Sequence, residues 1–226
     1  MVFEILTLFP DYVDNILNES ILGRARQKGL IEVKVRNIRD YSLDKHRRVD
    51  DTPCGGGMGM LMACQPIYDC HRAAMAEYEG KRVRTVFLSA QGQPFKQKKA
   101  AQLAADYDVL ILLCGHYEGV DRRVIELCCD EEISIGDFVL TGGELPACLV
   151  VDAVARLIDG VLSDKECHEK ESFSAALLEE PQYTRPIEFM GKKVPDVLLS
   201  GDHEKIRQWR HKAALELTGQ NRPDLL

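Results

Sequence analysis

The sequence lacks the features that would place its 226 residues in or across a membrane. No apolar run approaches the ~20 residues that a bilayer crossing needs. The first residues carry no basic cluster ahead of an apolar core, and Glu4 interrupts the segment where a secretory signal would be uncharged. We therefore expect a cytoplasmic protein with no membrane partner, whose first residues form a buried strand.

Common nucleotide-binding and metal-binding motifs are also missing. The chain holds no G-x-G-x-x-G, and no Lys-Ser or Lys-Thr pair follows the glycines at 55–59. That stretch is therefore no P-loop, although four glycines in five residues could cradle a phosphate. None of the eight cysteines has the C-x-x-C spacing typical of metal knuckles. Because buried free thiols behave as small hydrophobes, we predict reduced packing cysteines and no metal-ligating residues.

Acidic residues outnumber basic residues overall, but basic residues cluster near the end of the chain. The net charge of −7 and the pI of about 5.4 argue against indiscriminate nucleic-acid binding. A local basic face can still bind a nucleic acid, because clustered charge matters more than the net value. A solvated helix surface and an RNA contact explain the cluster at 205–212 equally well. Its basic members are Lys205, Arg207, Arg210 and Lys212.

Three apolar stretches share one design, a strand that runs into a loop containing glycine. They are 86–92, 109–119 and 132–146. In the third, we predict a strand through about Leu140, a loop opened by Gly142 and Gly143, and a helix begun by Pro146. Ligand sites of α/β proteins gather where parallel strands end, so these loops are predicted to form the walls of one site.

The rest of the chain alternates strands with helices, which is typical of an α/β protein with a mostly parallel sheet flanked by helices. The first turns of one predicted helix carry three lysines, which form either a solvated face or a phosphate contact. They are Lys96, Lys98 and Lys99. The ten residues 163–172 include no strong core former, which predicts a linker or a mobile active-site loop. The predicted strands are 3–9 and 31–38, and the predicted helices are one around 16–22, then 65–79, 93–107, 146–162 and one capped by Asp202.

Short motifs are spread along the whole chain. They are ILTLFP at 5–10, DKHR at 44–47, VDD at 49–51, GGG at 55–57, GM at 59–60, YEG at 117–119, SIGD at 134–137, TGGELP at 141–146, YTRP at 183–186, VLLSG at 197–201 and RPDLL at 222–226. Gly115, Ile206 and the pair Trp209-Arg210 complete the set. In content and order these motifs resemble the bacterial tRNA (guanine-N1)-methyltransferases, a family of the trefoil-knot (SPOUT) methyltransferase superfamily.

The resemblance implies an architecture that periodicity alone could not give. It implies a homodimer with the active site at the subunit interface, and a deep trefoil knot toward the C-terminal side of the N-terminal domain. The implied parts are a knotted S-adenosylmethionine-binding domain at 1–162, a flexible linker or active-site loop at 163–175, and a small, mainly helical tRNA-binding domain at 176–226. Rules of sheet topology would have discarded a knot, because knots are essentially absent from ordinary folds.

The resemblance also assigns the cofactor site. S-adenosylmethionine, the methyl donor, would sit bent among the three loops described above. Carried over by position, its contacts are Leu88, Ser89, Gly115, Tyr117, Glu118, Gly119, Ile135, Gly136, Asp137, Phe138, Val139, Leu140, Gly142, Gly143 and Pro146.

Two further residues are implied to carry the chemistry. Guanine N1 bears a proton at neutral pH, and a positioned carboxylate can remove that proton as the methyl group moves. Glu171 occupies the position of this base, where the family usually has aspartate, and the nearby Glu169 is a rival. Arg156 matches an arginine that stabilises charge on the guanine O6, whereas helical spacing alone favours a simple ion pair between Asp152 and Arg156.

The implied substrate is tRNA, methylated at guanosine 37 beside the anticodon, which must swing out of its stack to react. The segment 44–48, Arg185 and the C-terminal basic helix would contact the RNA. Glu179 is a weaker candidate for a substrate or ion contact, and the resemblance also implies magnesium. A catalytically weak RNA-binding protein stays open, since Glu171 departs from the family pattern. A trefoil-knot enzyme for another RNA position would lack the pattern at 209–226.

Overall fold

The computed structural model describes residues 1–163, 171–173 and 177–226. They divide into two compact units, Met1–Ser163 and Asp164–Leu226. In chain order the elements are β1 (Val2–Thr7), α1 (Pro10–Leu17), α2 (Ser20–Gln27), β2 (Glu32–Asn37), β3 (Asp50–Asp51), β4 (Leu61–Met62), α3 (Cys64–Ala76), β5 (Val83–Pro94), α4 (Gln97–Asp106), β6 (Val109–Cys114), α5 (Arg122–Cys128), β7 (Glu131–Ser134), α6 (Glu144–Ala155), β8 (Glu188–Phe189), β9 (Lys192–Lys193), α7 (Asp196–Leu199) and α8 (His203–Asn221).

The first unit is built on a parallel sheet with the strand order β2-β1-β6-β5-β7. Strand β6 lies in the middle, and all six of its residues are buried. An inner strand of a parallel sheet is covered on both faces, which explains why β6 carries no polar side chain. The predicted α/β class with a mostly parallel sheet is confirmed.

Two hydrophobic clusters cover the two faces of this sheet. Alternate residues of β6 belong to different clusters, as the two-residue repeat of a strand requires. Leu110 and Leu112 pack with residues of α1, α2, α4 and α6, and Ile111 and Leu113 pack with residues of α3 and α5. The first unit is therefore a three-layer arrangement of helices, sheet and helices.

The strand predicted through Leu140 was too long, because β7 ends at Ser134. There the Ser134 hydroxyl donates to the Gly136 carbonyl at 3.0 Å, and the Gly136 amide approaches the same hydroxyl at 3.2 Å. With φ at +148° for Gly136, this tight turn leads the chain away from the sheet. The apolar run 138–140 that suggested a longer strand is exposed in the loop that follows.

Three predicted helices also differ from the structure. Helix α6 spans Glu144–Ala155 rather than 146–162, with Gly143 as its N-cap. Pro94, expected to open a helix, is the last residue of β5, and α4 begins only at Gln97 because β5 pairs with β7 again after a register shift. The helix expected around 16–22 is two helices, α1 and α2, which meet at a sharp corner where Ser20 has a φ of +54°.

The second unit contains a hairpin, β8 and β9, followed by α7 and α8. Asp202 is confirmed as the N-cap of α8, since its carboxylate accepts a hydrogen bond from the backbone N–H of Lys205 at 3.1 Å. The basic side chains of α8 form exposed ion pairs within the unit, for example Lys205 with Asp202 and Arg210 with Glu180. Across the described ranges of both units, no helix is long and apolar enough to span a bilayer.

Candidate functional site

A cleft of about 430 Å³ lies at the carboxyl ends of β5, β6 and β7. These strands are neighbours in the sheet, so their loops emerge side by side. The volume falls within the ~300–1,000 Å³ range of small-molecule sites. Adjacent strand ends are also the usual place for a ligand in an open parallel sheet.

The cleft brings together most of the residues assigned to the cofactor. Fourteen of the fifteen line it, and Asp137 alone does not, although its neighbours Gly136 and Phe138 do. Several further lining residues were missed by the sequence reasoning. Among them are Phe87, Ala90, Gln91, His116, Ser134 and Thr141. Most of the missed residues lie within or next to the three loops, so the extent of those loops was the signal, whereas Leu61 on β4 and Arg122 and Ile125 on α5 gave no sequence signal.

Gly142 and Gly143 let two of these loops touch. The Gly143 amide donates to the carbonyl of Gly115 at 2.8 Å, and a Cβ on Gly143 would lie 2.7 Å from Cα of Cys114. A Cβ on Gly142 would lie 2.8 Å from Nδ1 of His116. Both glycines are therefore required for the two loops to pack against each other, whether or not a ligand also approaches their backbone.

The start of α6 is anchored to β1 beneath the cleft. The buried carboxylate of Glu144 accepts a hydrogen bond of 2.7 Å from the hydroxyl of Thr7, the last residue of β1. Above it, the ring of His116 lies 4.8 Å from that of Phe9 and 5.0 Å from that of Tyr117. These contacts fix the floor of the cleft against the end of the first strand.

The cysteines near the cleft are unsuited to nucleophilic chemistry. Complete burial raises the pKa of the Cys114 thiol well above its usual range. Burial, followed by the nearby charge of Glu144, raises the pKa of Cys148 to about 11. Both thiols stay protonated at neutral pH, and a thiolate is the reactive form of cysteine.

The charges around the cleft disfavour a phosphorylated ligand. Among the described residues that line it, Arg122 is the only lysine or arginine, and its guanidinium pairs with Glu126 and Glu132 at 3.3 and 2.5 Å. Lys99, considered above as a phosphate contact, pairs with Glu131 at 2.5 Å. The apolar walls, the backbone groups of the loops and the carboxylate of Glu118 suit an uncharged or cationic ligand such as S-adenosylmethionine.

The two residues assigned to catalysis lie in different units. Arg156 follows the last residue of α6, is half-buried, and donates its backbone N–H to the Asp152 carbonyl at 3.2 Å. Glu171 is half-buried in the second unit. Glu169, its rival, lies outside the described residues. Within the described ranges, no group of three His, Cys, Asp or Glu side chains could hold a metal ion.

The second unit has a pocket of its own, with a volume of about 470 Å³. Tyr183 and Trp209 meet in it with ring centroids 6.2 Å apart, and Arg185 and Arg210 contribute positive charge. Every residue from 181 to 193 is exposed. Flat aromatic rings beside arginines are the combination on which unstacked nucleic-acid bases bind.

Comparisons with known proteins agree over the whole chain. The family model described as tRNA (Guanine-1)-methyltransferase TrmD matches residues 1–226. The tRNA (guanine-N(1)-)-methyltransferase of Ruminiclostridium cellulolyticum is 52% identical over all of this chain and 96% of its own length. That of Clostridioides difficile is 50% identical over all of this chain and 97% of its own length. That of Clostridium acetobutylicum is 53% identical over 98% of this chain and 89% of its own length.

Proposed function

The chain belongs to the tRNA (guanine-1)-methyltransferase family, and on that premise we propose that it methylates N1 of guanosine 37 in tRNA. The reaction type, transfer of a methyl group from S-adenosylmethionine to guanine N1 of a tRNA, follows from the family. That the methylated guanosine is number 37, beside the anticodon, is the part that we add as a proposal. The observation that best supports methyl transfer by this chain is the cleft lined by fourteen of the fifteen residues assigned to the methyl donor.

The proposed mechanism needs one base and one cation. The cofactor supplies an electrophilic methyl group on a sulfonium. Glu171 accepts the N1 proton of guanine, so that the nitrogen lone pair becomes available to form the new N–C bond while the C–S bond breaks. Arg156 stabilises the negative charge that develops on O6 of the base. Glu169 is the alternative proton acceptor.

We propose that the domain assigned to 176–226, which lies within the second unit, binds the tRNA. Its pocket with Tyr183, Trp209 and two arginines supports this role, because bases stack on such rings. The exposed side chains of Arg47 and Arg48 could bind backbone phosphates. The target guanine must leave its stack, which costs a few kcal/mol that these contacts would offset.

We also propose a homodimer with the active site at the subunit interface. Helices α1 and α6 lie against each other, and each exposes two large apolar side chains one turn apart. They are Tyr12 and Ile16 on α1, and Leu145 and Leu149 on α6. Exposed apolar patches of this kind mark interaction surfaces, and a two-fold axis lets one patch cover its own copy.

Leu149→Glu should convert the dimer into a monomer, because it buries a charge at the centre of the proposed interface. Light scattering after size-exclusion chromatography at micromolar concentration measures the mass. Leu127→Glu is the matched control, since Leu127 is 71% exposed on α5, on the opposite face of the sheet. If Leu149→Glu stays dimeric at all concentrations, the proposed interface is wrong.

The proposed activity predicts one methyl group at one base. The protein incubated with labelled S-adenosylmethionine and unmodified tRNA carrying guanosine 37 should yield 1-methylguanosine at that position by nuclease digestion and mass spectrometry. The same tRNA with adenosine at position 37 should gain no label. Label at another guanosine would contradict the position, and tight cofactor binding without any transfer would contradict the activity.

Four further features are implied by the family resemblance. No step of the proposed mechanism uses magnesium. Within 1–163, 171–173 and 177–226, no group of three His, Cys, Asp or Glu side chains could hold a metal ion. The trefoil knot is proposed for the domain at 1–162 from its family alone. A cytoplasmic location is proposed because tRNA is the substrate. The linker proposed at 163–175 falls largely outside the described residues.

A further inference from the structure

The glycine-rich stretch Gly55–Gly59 is not explained by the proposed chemistry. The segment that follows it is joined to one wall of the cleft by backbone hydrogen bonds. The N–H of Glu118 donates to the carbonyl of Met60 at 3.0 Å, and the N–H of Met62 donates to the carbonyl of Gly119 at 2.9 Å. The end of the glycine-rich stretch therefore lies directly beside the cleft-lining loop 116–120.

Gly59 makes a contact that no other residue type could make without displacing its neighbour. A Cβ at this position would lie 2.4 Å from Cγ and 2.7 Å from Oε1 of Glu118. Cβ contacts under 3.0 Å essentially never occur in proteins. The side chain of Glu118 thus fills the space that the missing Cβ of Gly59 leaves.

The neighbouring glycines have a different role. Gly55, Gly56 and Gly57 all adopt positive φ angles, but a Cβ on any of them would meet no atom within 4 Å. They are required by backbone conformation alone. Gly59 shares that conformation, with a φ of +82° against +83° for Gly56, and differs only in what its Cβ would touch.

We propose that Gly59 is a positioning residue that seats the Glu118 carboxylate in the cleft, where it accepts hydrogen bonds from the bound methyl donor. This inference rests on the proposed cofactor site. Glu118 is an exposed side chain, and no described residue forms a hydrogen bond or ion pair with its carboxylate. The space beside Gly59 lets this side chain adopt its observed rotamer before the ligand arrives, and such preorganisation raises affinity.

The two matched glycines provide the test. Gly59→Ala and Gly56→Ala in the full chain impose the same backbone strain, so both should lower the midpoint of thermal unfolding by a similar amount. Calorimetric titration with S-adenosylmethionine, without tRNA, should give an affinity about tenfold weaker for Gly59→Ala, the loss typical of a hydrogen bond to a charged group. Gly56→Ala should stay within about twofold of the unmodified protein.

A double-mutant cycle separates positioning from a general structural defect. In the Glu118→Ala background, Gly59→Ala should cause no further loss of affinity, since the displaced side chain is already gone. Equal weakening by Gly56→Ala and Gly59→Ala, or additive effects with Glu118→Ala, would overturn the positioning role alone. Absence of binding by the unmodified protein would overturn the cofactor site as well.

Discussion

Glu171→Gln is expected to lower the rate of methyl transfer to guanine N1 by roughly 10²–10⁴-fold, the usual contribution of a general base. The amide keeps the shape and hydrogen-bonding capacity of the side chain but cannot accept a proton. Affinity for S-adenosylmethionine should not change, because Glu171 is not one of the residues assigned to the cofactor. Single-turnover methylation of tRNA with saturating cofactor measures the chemical step directly.

Two substitutions serve as controls for this assignment. Glu171→Asp restores the carboxylate that the family usually carries there, so activity should match or exceed that of the unmodified protein. Glu169→Gln should retain activity. If Glu169→Gln shows the large loss and Glu171→Gln does not, Glu169 is the base. If Glu171→Ala leaves methylation and RNA affinity unchanged, the alternative of a catalytically weak RNA-binding protein gains support.

The direction of the Glu171→Asp effect bears on how the loop works. The extra methylene of glutamate displaces the carboxylate by ~1.5 Å. Errors near 1 Å can cost ~10²-fold where the geometry is fixed. A large gain with aspartate would mean that the loop is rigid around the base. Equal rates for glutamate and aspartate would mean that the loop adjusts to either length.

The layered fold could be predicted because it depends on sequence patterns within single segments of the chain. An uninterrupted apolar strand such as β6 must be covered on both faces, and strands that alternate with helices must pair in parallel. The meeting of three loops at one edge followed from the same rules. The position of the cleft could therefore be predicted from sequence patterns.

The details that escaped prediction depend on contacts between distant residues. The residues 138–140 are as apolar as a strand but stand exposed in a loop beside the cleft. Periodicity cannot distinguish an apolar ligand wall from an apolar strand. Likewise the glycine at position 59 could suggest a phosphate loop, whereas its actual neighbour, Glu118, is 59 residues away in the chain. A knot would depend on the path of the whole chain, so it could be proposed only from the family resemblance.

Arg36→Met is expected to destabilise the protein by roughly 3–5 kcal/mol, because it leaves a charge buried without its partner. Glu4 is a charged residue in the middle of β1 and is completely buried. The guanidinium of Arg36 on β2 lies 2.5 Å from its Oε1, and the hydroxyl of Tyr78 donates to its Oε2. Burial, and next the hydrogen bond to Glu4, raise the pKa of Tyr78, which therefore remains a donor at neutral pH.

Equilibrium unfolding in urea provides the measurement, with two comparisons that isolate the buried charge. Arg82→Met removes an exposed pair with Asp108, whose side chains are 59% and 41% exposed, and should cost less than ~1 kcal/mol. Glu4→Leu combined with Arg36→Met should recover much of the loss, because replacing both partners by apolar groups is often neutral. A double variant no more stable than Arg36→Met would show that the guanidinium contributes by packing. Recovery would instead show that the buried Glu4 carboxylate on β1 is tolerated only because the Arg36 guanidinium pairs with it.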